Sequence, residues 1–142
     1  MKATAPHGAP WHLWAVAVLT LLWNGAGAVT ILMAQTGSRL DMDAREVAYY
    51  ANQPLWFVLA TNLATLLPVA AAVALLLRRR SAMWLFALAL AAIVFTNAYD
   101  VAAGTSLTLA DQGWRNLTVV LVIIALLQFG YAWMMGKRGV LR

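Results

Sequence analysis

Four uninterrupted apolar runs govern what this chain can fold into: Trp11 to Ala34, Pro54 to Leu77, Ala82 to Val101 and Leu117 to Met135, of 24, 24, 20 and 19 residues. At the helical rise each is roughly 28 to 36 Å long, which matches the hydrocarbon core of a bilayer with modest tilt. Asp100, near the end of the third run, is the only formal charge inside any of them. The 142 residues are 63% hydrophobic and 11% charged, whereas soluble domains average roughly 45 to 50% apolar and about 25% charged. A soluble globular domain is excluded, because a chain this short leaves much of its surface in contact with solvent and has too few charges to cover it. The expected fold is all-α: one transmembrane domain over residues 1–142, an integral membrane four-helix bundle.

Basic residues set the orientation, since Lys and Arg are retained on the cytoplasmic face. Lys2, the Arg78-Arg79-Arg80 turn and the tail with Lys137, Arg138 and Arg142 fall on one side, seven of the ten basic residues. Arg39, Arg45, Arg115 and all five acids, Asp41, Asp43, Glu46, Asp100 and Asp111, fall on the other. Both termini are therefore expected in the cytoplasm, with Arg78, Arg79, Arg80, Lys137 and Arg138 at lipid headgroups. The turn through the three arginines is so short that the second and third spans must be antiparallel neighbours. Lys2, an apolar stretch and Ala26-Gly27-Ala28 imitate a signal peptide over residues 1–28, but the run stays apolar through Met33 and the first span is expected to be kept.

Between the first two spans, Asp43 followed by Glu46 three residues later is a capping box. It predicts a short outer-surface helix over about residues 43–52 with Val47, Tyr50 and Ala51 on one face. Tyr49, Tyr50, Trp56 and Trp114 would form the outer aromatic belt, and Trp11, Trp14, Trp84 and Trp133 the inner one. The segment Ala102 to Asn116 reads as irregular. Gly25 and Gly27, with Ala26 and Ala28, suit close approach of another helix, and Pro68 suits a kink in the second span.

Cysteine is absent, which removes disulfides, thiolate metal sites, iron–sulfur clusters and a cysteine nucleophile together. The histidines, His7 and His12, precede or open the first span, and no third ligand stands near them. No metal, no cofactor and no enzymatic activity is expected, and no nucleic-acid partner, because the basic residues flank apolar runs rather than line an aromatic-interleaved groove. The polar residues at membrane depth are Asn24, Asn62, Asn97, Asp100 and Gln128, all near the midplane or in the outer half. Such groups must point into a bundle and find partners. Two readings are open: a polar cavity opening outward, or hydrogen-bond glue between helices, worth around 0.6 to 2 kcal/mol each.

Leu22-Trp23-Asn24-Gly25-Ala26-Gly27-Ala28, Met33-Ala34-Gln35-Thr36, Tyr49-Tyr50, Pro54-Leu55-Trp56, Leu75-Leu76-Leu77-Arg78-Arg79-Arg80 and Asn97-Ala98-Tyr99-Asp100 are the segments that carry a resemblance. Over Trp11 to Asp100 the chain resembles small four-helix bacterial inner-membrane proteins often labelled sugar transporters. That resemblance implies a multi-pass protein of the bacterial inner (cytoplasmic) membrane. An acidic residue late in the first helix belongs to the family pattern, but Val29 and Thr30 stand there in this chain, so a carboxylate role at that place does not carry over. The expected function is that of a non-enzymatic accessory or binding subunit, partnered by the bilayer and by a larger membrane complex or further copies of itself. The alternative is a small-solute transporter or channel, for a sugar or a cation, working as an oligomer through the five polar residues.

Overall fold

The structure, a computed structural model, describes residues 10–104 and 112–142. Among the described residues five helices follow one another: α1 Trp11–Gln35, α2 Ala44–Ala51, α3 Leu55–Leu76, α4 Ser81–Ala102 and α5 Gln112–Lys137. All but α2 are long and apolar enough to cross a membrane. Of the segment expected to be irregular, Ala102 to Asn116, Ala102 ends α4 and Gln112 onward belongs to α5, while 105–111 lie outside the described residues. The calls on Asp111, Arg115 and Trp114 lie outside the described side chains.

Each spanning helix buries a seam of mostly small residues at steps of three and four or their sums, seven and eight. On α1 it holds Leu13, Ala17, Thr20 and Ala28, on α4 Ala82, Phe86, Ala89 and Thr96, and on α5 Ala125, Ala132 and Met135. On α3 the seam runs through Phe57, Ala64, Pro68, Ala71 and Leu75. That alternation of three and four is the heptad period, under which helices pack at a shallow angle, and alanine lets their backbones come close. Pro68 sits buried within a continuous helix, its ring turned into the packing. Helix α3 is the centre of the bundle, packed on α1 and α4, and α4 carries α5 on its other side. A His12 Nδ1 to Tyr131 hydroxyl hydrogen bond of 2.6 Å joins α1 to α5.

The tightest packing is at the end where α1 begins and α5 finishes, called here the terminal end. Leu13, Ala17, Ala71, Ala74, Leu75, Ala82, Phe86, Ala132, Met135, Val140 and Leu141 form one cluster there. The last two come from the tail, and a glycine brings them in. After Lys137 the chain reverses at Gly139, whose φ of 68° lies in the left-handed region that a Cβ penalises. The Val140 N–H then donates to the Met135 carbonyl at 3.1 Å, and both side chains are buried, the hydrogen-bond and hydrophobic pairing of a Schellman cap.

The tail next meets the α3–α4 turn. The Arg142 N–H donates to the Arg78 carbonyl at 2.7 Å, and the Arg142 oxygen accepts from the Arg80 N–H at 2.9 Å. The Arg78 and Arg80 guanidiniums donate through Nε to the Val140 and Leu141 carbonyls, at 3.2 and 3.4 Å. Arg78 itself takes φ 56°, ending α3 as a left-handed residue that is not glycine. Two of the three arginines expected only to face lipid headgroups thus also hold the tail to the turn.

At the opposite, loop end the packing thins. From Asn116 to Ile124, α5 has six of nine residues exposed, and large apolar side chains such as Leu117, Val119 and Ile123 face outward. The close approach expected at Gly25 and Gly27 is not made within this chain: a Cβ at either position would meet nothing within 4 Å. α1 is instead covered nearer the terminal end, through Leu13, Ala17 and Thr20.

Candidate functional site

The polar residues concentrate towards the loop end, where α2 docks. As expected, Asp43 caps that helix: its carboxylate accepts from the N–H groups of Arg45 and Glu46, each at 2.8 Å, and Glu46 accepts from the Asp43 N–H at 3.1 Å. Glu46, Tyr49, Tyr50 and Gln53 are half-buried, whereas Val47 and Ala51 are exposed. Tyr49, assigned from sequence to the aromatic belt, lays its hydroxyl 3.1 Å from both oxygens of Asp100 on α4. Asp100 is therefore neither a bare surface carboxylate nor a free one: it receives a phenol.

Around that contact the aromatic rings interlock. Trp56 meets Tyr99 edge-on with centroids 4.8 Å apart, and Phe57 meets Tyr99 at the same distance. Tyr49 stacks edge-on against Tyr50 at 5.0 Å. Burial pushes the Tyr49 hydroxyl well above the usual tyrosine range, and the nearby Asp100 charge raises it further. Burial also raises Tyr50. Further out, Arg39 and Asp41 pair at 2.7 Å on the surface, which raises the arginine and lowers the carboxyl.

The raised Tyr49 has a consequence for pH. Above the ordinary tyrosine value of about 10 the unfolded chain releases this proton while the folded one keeps it, so the folded state binds more protons and stability falls as pH rises. Alkaline titration of the melting temperature is expected to fall more steeply above about pH 10 for the parent protein than for Tyr49→Phe. At neutral pH, Tyr49→Phe is expected to cost about 1 kcal/mol and to speed amide exchange across α2, because a half-buried carboxylate loses its donor.

The five candidates find different partners. Asn24 donates its amide to the Thr20 carbonyl at 2.8 Å, and Asn97 does the same to the Ile93 carbonyl at 2.7 Å, each within its own helix. Asp100 is held by Tyr49. The Asn62 Oδ1 is buried without a hydrogen-bond partner among the described residues, as are Thr61 Oγ1, Gln35 Nε2 and both amide atoms of Gln53. Gln128 is half-buried and forms no hydrogen bond among the described residues. No described hydrogen bond joins any of the five to another.

No family model matches the chain, and no curated protein and no solved structure is found to match it. The arrangement itself must carry the functional argument. Sequence reasoning left Tyr49, Gln53 and Thr61 out of the candidate set. A heptad count would have found part of it: continuing the buried seams towards the loop end places Asn24, Thr61, Asp100 and Gln128 on them in turn. Among the described residues no group of three or more His, Asp or Glu side chains is placed to hold a metal.

Proposed function

We propose that this is a non-enzymatic accessory subunit of a larger membrane protein complex, a multi-pass protein of the bacterial inner membrane with both termini in the cytoplasm. The observation that carries the reading is the dispersal of the polar residues. Asn24 and Asn97 spend their amides on carbonyls of their own helices, and Asp100 is engaged by a tyrosine of the same chain. A solute path needs polar groups that converge and stay available to the solute, and helices that move about it, as paired repeats do in transporters. Asn24, Asn97 and Asp100 are engaged within the chain, and the four spans are clamped at one end, which favours the accessory reading.

A second reading has one observation in its favour. Gln35, Gln53, Thr61 and Asn62 leave buried polar atoms unpartnered in the loop-end half, and such atoms cost about 1 to 3 kcal/mol each unless water or a solute meets them. A small-solute transporter or channel, working as an oligomer, would use them.

Purification of the tagged protein at native expression in mild detergent, followed by native mass determination, separates the two. The accessory reading expects a stoichiometric heteromeric complex, lost in Gly27→Leu and retained in Leu22→Ile. Because the space beside Gly27 is open in this chain, that leucine perturbs packing between molecules rather than within one. Recovery as a monomer or homo-oligomer, with solute uptake into vesicles that Asp100→Asn abolishes, would replace this reading by the second.

A further inference from the structure

The backbone contacts between the tail and the α3–α4 turn have the form of a parallel bridge centred on Arg79 and Arg142, since the Arg142 N–H reaches back to Arg78 and its oxygen forward to Arg80. Such a pairing brings the Arg79 and Arg142 backbones side by side, about 4.8 Å apart. Both Arg79 and Arg142 are exposed, and neither guanidinium has a hydrogen-bond or ion-pair partner among the described residues. Their neighbours Arg78 and Arg80 are fixed by the tail carbonyls of Val140 and Leu141. The four described acids, Asp41, Asp43, Glu46 and Asp100, all belong to the loop end, where the one described ion pair also lies. Two exposed arginines whose backbones are held together, with no described acidic side chain at that end, suit an anion.

Depth says what kind. Trp11, Trp84 and Trp133 are exposed at this same end, as interfacial aromatics are, and the Lys137 ammonium stands 5.4 Å over the Trp133 ring. The arginine pair therefore sits at the level where phospholipid headgroups lie. We propose that Arg79 and Arg142 form a specific site for the phosphate of an anionic phospholipid, preorganised by the folding of the tail onto the α3–α4 turn. Guanidinium forks suit a phosphodiester, which accepts two hydrogen bonds from each. The proposal differs from the diffuse attraction of basic loops to a charged leaflet in naming two of the six described basic residues at this end, and it holds whether or not the protein is an accessory subunit.

The test is native mass spectrometry of the full chain released from nanodiscs of equal phosphatidylglycerol and phosphatidylcholine. The expected result is retention of phosphatidylglycerol over phosphatidylcholine, reduced about fivefold by either Arg79→Gln or Arg142→Gln. Arg138→Gln, one turn outside the bridge, is expected to change it by less than about twofold. Equal retention of the two lipids by the parent protein overturns the proposal, and that comparison needs no variant to fold. Equal losses in Arg138→Gln and Arg79→Gln overturn it in favour of diffuse charge. Displacement of the lipid by millimolar inorganic phosphate overturns it in favour of a free-anion site. If a glutamine variant melts early, Arg79→Lys keeps the charge and removes the fork, and unchanged retention there overturns the bidentate grip.

Discussion

Leu75→Ala is expected to lower the free energy of unfolding by about 2 to 5 kcal/mol, the range for deleting a fully buried leucine. Leu75 is 1% exposed and belongs to the buried cluster that also holds Leu13 of α1, Phe86 of α4, Met135 of α5 and Leu141 of the tail. The transfer component is reduced in lipid, where an exposed leucine is already among apolar chains. The lost dispersion contacts remain, because a void has no atoms on one side. Reversible unfolding in mixed micelles measures the difference, with Val73→Ala, on the exposed side of the same helix, expected within about 0.5 kcal/mol of the parent. A loss below about 1 kcal/mol for Leu75→Ala would mean that the terminal end collapses onto the cavity, and that its packing is looser than described.

The second large effect has the opposite chemistry. Ala132 is 0% exposed, on the seam by which α5 joins the bundle and next to Tyr131. Ala132→Leu adds three carbons where helices touch, at an expected cost of about 1 to 3 kcal/mol and with α5 displaced outward. The displacement has its own signature. It pulls Tyr131 from His12 and withdraws the tail from the α3–α4 turn, so amide exchange at Arg80 and Arg142 is expected to accelerate beyond the change in global stability. Exchange at these two amides that only tracks the global change would separate the tail from α5 and contradict the clamp.

What was readable from the chain beforehand divides along the distance over which each feature acts. The spans follow from apolar length alone, and the start of α2 from a capping box within four residues, Asp43 to Glu46. The side by which α2 packs onto the bundle was not given by its own pattern, since its apolar stripe, Ala44, Val47, Ala48 and Ala51, stays exposed while the tyrosines turn inward. A hydroxyl and a carboxylate 51 positions apart decide it, Tyr49 with Asp100. His12 with Tyr131, 119 positions apart, was equally out of reach. The tail was legible and went unread. Glycine after a basic helix end, followed by valine and leucine, is the pattern of a C-cap whose next residues fold back onto apolar surface. Within the candidate site, helical rise placed the depth of Asn24, Asn62, Asn97, Asp100 and Gln128. It carried no information on whether an amide would turn to its neighbour helix or to its own carbonyl, and Asn24 and Asn97 did the latter.

The clamp at the terminal end also orders events in time. The α3–α4 hairpin is closed by a turn of a few residues and forms early, as local contacts do. Its Arg80 N–H and Arg78 carbonyl then wait for Arg142, and Leu13 near the start of the chain waits for Leu141. Until α5 has entered the bilayer and its tail has turned back, a partly assembled bundle presents an uncovered end at the membrane surface. That interval is when a quality-control protease would recognise the protein, and its length is set by the insertion of the last helix rather than by the stability of the first three.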